Sequence, residues 1–124
     1  MVENVPRKRI LVVDDEQLVT DYFKTILESN GYEVDVAYNG KEAYRMVNRK
    51  HYDLVHMDIR MPDWDGLDSI AAMGLTNPNV KIFVVSGVLT DDVIKELENE
   101  DNVKGWVEKP VGGENYLRIV KSLL

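Results

Sequence analysis

The sequence predicts a doubly wound α/β fold: a parallel five-stranded sheet in the order 2-1-3-4-5, with helices on both faces. Three observations carry that expectation. Short, nearly continuous apolar runs occur at 10–13, 54–57 and 82–85. Two further strand-like segments, 33–38 and 104–108, are only partly apolar, and Val34 and Val36 share one face of the first of them. Helical periodicity fills the intervals. Continuous apolar runs suit strands buried on both faces, and alternation suits a half-exposed strand. Helices between strands force parallel pairing through right-handed crossovers. The first, third and fourth strands are therefore central and the second and fifth are edges, which the order 2-1-3-4-5 satisfies. That order places its switch point between strands one and three, and ligands bind at the carboxyl ends of strands flanking a switch point.

The helices are read in turn. Over 17–30 the apolar positions Leu18, Val19, Tyr22, Phe23, Ile26 and Leu27 form one stripe, and Gly31 is the stop. Residues 41–50 carry Ala43, Met46 and Val47, with Asn39 as cap. A third helix spans 67–75 and closes before Asn77-Pro78. The fourth, 91–100, has a narrow stripe of Val93, Ile94 and Leu97, and the last covers 114–124.

Composition limits the function classes. The 124 residues suit one domain, expected to span 1–124. Without cysteine, disulfides, thiolate metal sites and thiol catalysis are excluded. No apolar run approaches a membrane span, and Met1–Pro6 lacks a signal-peptide core, so a cytoplasmic protein is expected. The net charge of -7 repels nucleic acid and anionic lipid. Arg7-Lys8-Arg9 reads as a solvated lead-in to the first strand.

Three carboxylates converge at the predicted switch point: Asp14 and Asp15 just past strand one, and Asp58 just past strand three. Each has a plainer role, Asp15 as a helix cap, Asp14 as a second acid near a helix start and Asp58 as a turn residue. Their coincidence at one end of the sheet favours a joint site. Like-charge repulsion opposes such a cluster, and a hard divalent cation such as Mg²⁺ relieves it with oxygen ligands. Ser86 and Lys109 end strands four and five at the same end. A hydroxyl can donate to a phosphoryl oxygen and an ammonium can neutralise another, while Gly87 leaves room.

With these residues in place the chain resembles the receiver domain of two-component response regulators over almost its whole length. The resemblance rests on Leu11-Val12-Val13-Asp14-Asp15-Glu16, Asp58-Ile59-Arg60-Met61-Pro62-Asp63-Trp64-Asp65-Gly66, Val84-Val85-Ser86-Gly87 and Lys109-Pro110. It implies a flavodoxin-like (βα)5 three-layer sandwich with Asp58 as phosphoacceptor. Asp15, Asp58 and the backbone carbonyl of Arg60 are implied as ligands of Mg²⁺, with Mn²⁺ as a substitute, and Asp14 as an acid reaching the metal through water. Ser86 is implied as the switch hydroxyl, Lys109 as the phosphate-pairing cation, and Pro110 as a proline after a cis bond. The implied donor is a sensor histidine kinase or a histidine phosphotransfer protein. The implied output is a face of helix four, strand five and helix five, through which a homodimer or an unidentified target would bind.

The sequence also departs from the family. Trp106 stands where Tyr or Phe is usual, at a ring position that turns inward on activation. Val111-Gly112-Gly113 replaces a more usual Phe and acidic helix start. Arg60 and Val88, two residues past Asp58 and Ser86, flank the phosphoryl position and are expected to tune hydrolysis. His56, inside a central strand, is expected to be a hydrogen-bonded core residue. Three rivals remain: an aspartate-nucleophile phosphatase, which wants an acid where Arg60 stands; a flavin carrier, which needs a hydroxyl-rich phosphate loop where Asp14-Asp15 stand; and a pseudo-receiver acting only as an interaction module. Beyond its own phosphorylation and dephosphorylation, no enzyme activity is expected.

Overall fold

The computed structural model describes residues 6–61 and 64–124. Pro62 and Asp63 of the second motif, and the leader residues 1–5, lie outside that range. Five strands, β1 (Arg9–Val13), β2 (Glu33–Ala37), β3 (Leu54–Met57), β4 (Ile82–Ser86) and β5 (Val103–Glu108), alternate with α1 (Gln17–Glu28), α2 (Gly40–Arg49), α3 (Gly66–Thr76), α4 (Asp91–Glu98) and α5 (Gly113–Leu123). All neighbouring strands pair in parallel, in the order β2-β1-β3-β4-β5.

The burial pattern explains the order. Every residue of β3 and β4 is buried, as are four of five in β1, whereas β5 alternates between half-buried and exposed positions. The sheet divides two apolar clusters. Leu11, Val13, Val55, Met57 and Val84 face α2, α3 and Leu97 of α4. Ile10, Val12, Leu54, Phe83 and Val85 face Phe23 and Leu27 of α1 and Tyr116 and Val120 of α5.

The helix ends follow local chemistry. Asn39, Asp65 and Thr90 cap α2, α3 and α4 by accepting from backbone N–H groups three residues on. Gly31 follows α1 with φ +88°, a left-handed conformation that glycine adopts without steric cost. The cap of α1 is Glu16 rather than Asp15, and its side chain makes no cap bond. The α1 stripe is narrower than its periodicity suggests. Leu18 is 84% exposed and Tyr22 48%, and buried Thr20 joins Phe23 and Leu27 on the inner face. With an open-edged sheet beneath it, α1 packs on β2, β1 and a flank of α5, and the outer part of its apolar face stays in solvent.

Candidate functional site

Two parallel ladders bring the acids together. The Asp58 N–H donates to the Val13 carbonyl at 3.0 Å, and the Asp14 N–H donates to the Ala37 carbonyl at 3.2 Å. Both therefore leave the sheet at its carboxyl end, where β1 and β3 diverge to their helices. Gly66 holds the chain after Asp58 close. Its N–H donates to the Ile59 carbonyl at 2.8 Å, and a Cβ there would lie 2.4 Å from the Asp58 carbonyl oxygen. Any larger residue would push the start of α3 away from Asp58.

Lys109 reaches in from the end of β5. Its backbone N–H donates to the Ser86 carbonyl at 2.9 Å, which ties the two strand ends. Its Nζ donates to Asp14 Oδ2 at 2.5 Å and to Asp58 Oδ2 at 3.4 Å. Pro110 follows in a cis peptide, as the resemblance implies. Asp14 is fully buried, and its other oxygen accepts the Glu16 N–H at 3.0 Å. Burial pushes the Asp58 carboxyl above its ordinary value; Lys109 pulls it down, Asp14 pushes it up, and the Ser86 hydroxyl lowers it, leaving a net rise. Burial works against the Lys109 charge, but Asp14 and Asp58 outweigh it and hold its pKa above the usual lysine value.

Asp15, Glu16, Asp58, Arg60, Met61, Gly87, Val88 and Lys109 line a cleft of about 400 Å³. Ser86, fully buried, is not among the lining residues; its Oγ accepts the Val88 N–H at 3.3 Å, and its hydroxyl lies beside the Asp58 carboxyl. A Cβ on Gly87 would meet nothing within 4 Å, so open cleft lies beside it. Trp106 is not among the lining residues. It pairs with Val84 across the ladder and is 36% exposed on the sheet edge. Asp14, Asp15 and Glu16 offer carboxylate oxygens within 4.8 Å of one another. An all-oxygen donor set of that density suits a hard cation such as Mg²⁺. Glu16 was no site candidate in the sequence; its signal was there, as a third consecutive acid beyond an apolar strand.

His56 is buried as expected, and burial lowers its pKa to about 3, helped by the nearby Lys109 charge and opposed by Asp14. Its Nδ1 shares a 2.7 Å hydrogen bond with the Tyr116 hydroxyl. That partner lies 60 positions away and no local pattern pointed to it.

Sheet order and cleft define the class: a signalling module of the two-component systems, built on the flavodoxin-like fold. The chain belongs to the response regulator receiver domain family, whose sequence model matches residues 10–121. It is 40% identical over 104 residues to the chemotaxis protein CheY of Thermotoga maritima, covering 83% of this chain and 86% of that protein. It is 32% identical over 117 residues to the response regulator MprA of Mycobacterium leprae, covering 94% of this chain and 50% of that protein. The chain thus spans about half the length of the MprA relatives it matches. Among solved structures, a CheY-like receiver domain protein from Methanospirillum hungatei superposes with TM-score 0.90 at 29% identity, covering 94% of this chain and 93% of that one. Response regulator protein TrrA from Thermotoga maritima, solved in complex with Mg²⁺-BeF, superposes with TM-score 0.84 at 33% identity, covering 94% and 99%. Among the described residues no helix is long and apolar enough to cross a membrane.

Proposed function

We propose that this receiver domain accepts a phosphoryl group on Asp58 from a phosphohistidine of a sensor kinase or histidine phosphotransfer protein, and that the group's presence is the signal. The observation that supports this most is the Lys109 ammonium set between Asp14 and Asp58 on the rim of an acid-lined cleft. Phosphoryl transfer asks a protein mainly for position and charge stabilisation. An Asp58 carboxylate oxygen bonds to phosphorus as the phosphorus–nitrogen bond to the donor imidazole breaks. Lys109 faces the equatorial oxygens as charge gathers there, and the Ser86 hydroxyl donates to one of them. Asp14, Asp15, Asp58 and the Arg60 carbonyl would hold Mg²⁺, with Glu16 beside them and Mn²⁺ as a substitute. When bound, that ion supplies Lewis-acid neutralisation of the transferring group.

A protein donor suits the neighbouring surface. A groove of about 590 Å³ between α1 and the Pro110–Val111 turn shares Lys109 with the cleft and presents Leu18 and Tyr22. The face of α4, β5 and α5, with Trp106 on it, is the proposed output and homodimer surface. Arg60 and Val88 on the cleft rim tune how long the phosphoryl group lasts. Arg60, where an aspartate-nucleophile phosphatase wants an acid, argues against that alternative.

The test is intact mass after incubation with acetyl phosphate and Mg²⁺. Wild type gains one phosphoryl group; Asp58→Asn and a metal-free sample do not. Mg²⁺ binding without any mass gain would overturn the phosphoacceptor assignment, and absence of both would indicate a phosphorylation-independent interaction module.

A further inference from the structure

The chemistry at Asp58 uses the upper end of the sheet and leaves one buried polar pair below it without a role. His56 lies on β3, two residues before Asp58, with its ring packed among Phe23 of α1, Phe83 of β4 and Tyr116 of α5. Both His56 and Tyr116 are fully buried, and they share one hydrogen bond at 2.7 Å. His56 Nε2 has no partner among the described residues. Burying two polar side chains for a single bond is a poor source of stability compared with an apolar pair of the same shape. What a buried polar pair supplies is geometry, because the bond forms in only one relative placement of the two elements.

Tyr116 sits where α5 most lacks another anchor. The α5 cap is Gly112, without a side-chain cap bond, and Gly113 opens the helix. A Cβ on Gly112 would meet nothing within 4 Å. The three helices before it each start on a side-chain cap. Lys109 is therefore joined to α5 by a short, uncapped, glycine-bearing link, and Tyr116 is the first fully buried side chain beyond that link.

We propose that the His56–Tyr116 hydrogen bond pins the first turn of α5 to the strand that carries Asp58, and thereby sets where Lys109 stands relative to the Asp58 carboxylate. Both are positioning residues; neither touches the transferring group. The inference rests on Asp58 being the phosphoacceptor.

Tyr116→Phe and His56→Leu each break the bond, His56→Asn keeps a hydrogen-bonding group near the Nδ1 position, and the double variant His56→Leu/Tyr116→Phe leaves no orphaned polar atom. Two readouts are needed: amide exchange over 109–117, and phosphoryl uptake from phosphoramidate at saturating Mg²⁺, with Mg²⁺ affinity measured alongside. Each bond-breaking variant is expected to exchange about tenfold faster over that segment. Each should take up phosphate roughly fivefold more slowly at unchanged Mg²⁺ affinity, as misplacement of a charge-stabilising group does. The double variant should be no slower than the slower single, and His56→Asn should recover most of the rate. Variants that melt earlier yet keep wild-type exchange and uptake would reduce the pair to a packing feature and overturn the proposal. If wild type takes up no phosphoryl group, the Asp58 assignment fails, while unchanged exchange in Tyr116→Phe separately overturns the pin. Should a single variant not fold, the double variant and His56→Asn carry the same two readouts.

Discussion

Lys109 Nζ lies 2.5 Å from one buried carboxylate and 3.4 Å from another, with its own side chain only 24% exposed. Removing it strands two negative charges, one of them fully enclosed. Lys109→Met should therefore destabilise the metal-free protein by about 3 kcal/mol, the usual scale for breaking a buried pair. Saturating Mg²⁺ should recover much of that loss, because the cation takes over the neutralising role. Urea unfolding with and without Mg²⁺ checks this; an equal loss in both buffers would mean that Lys109 and the cation do not share these carboxylates. At this scale the sequence was most informative at the strand ends, where Asp14, Asp58 and Lys109 directly follow β1, β3 and β5 and Ser86 closes β4. It was silent on Tyr116 as the partner of His56, because that contact depends on how α5 lies across the sheet.

At the scale of the element, α1 shows where periodicity misleads. A 3.6-residue pattern tells which side chains share a face but not how wide a strip the neighbours cover. Leu18→Glu should change stability by less than about 0.5 kcal/mol, as expected for a surface position. Leu27→Ala, on the same helix but fully buried, should cost about 3 kcal/mol. Comparable losses for the two would mean that Leu18 is covered in solution. The edge pairing of β2 offers a pH test. Burial raises the pKa of Asp35, but the Tyr52 hydroxyl at 2.7 Å and Lys50 at 2.9 Å outweigh it and hold the carboxyl below 3.8. A depressed carboxyl contributes stability that is fully present above its unfolded pKa and is lost as pH falls through the folded one. Asp35→Asn should thus lower the urea midpoint near neutrality, and the gap to wild type should close as pH drops below 3.8. A gap that persists unchanged in acid would assign the effect to shape rather than charge.

For the whole molecule, the strand order was legible because burial on both faces leaves a distinct mark. β1, β3 and β4 read as nearly continuous apolar runs, and the half-exposed β2 and β5 do not. That asymmetry alone selects which strands are central, and the switch point follows. The narrow apolar stripe of α4 likewise marked in the sequence which helix is least firmly held. α4 buries only Leu97 completely and borders the edge strand that carries Trp106, so it has the fewest buried anchors of the five helices. Few buried contacts mean low local opening free energy. If the phosphoryl group on Asp58 acts through this region, it must favour one arrangement of α4 and β5 over another; driving a two-state element from 1:99 to 99:1 takes about 5.5 kcal/mol of differential interaction. The route on hand is short: Ser86 ends β4 beside the Asp58 carboxyl, and β4 pairs with β5 at Val84–Trp106 and Ser86–Glu108. Amide exchange over 88–106, with and without a beryllium fluoride mimic and Mg²⁺, should change in α4 and β5 while β1 and β3 stay protected in both states. Identical protection in α4 and β5 would place the output surface elsewhere on the domain.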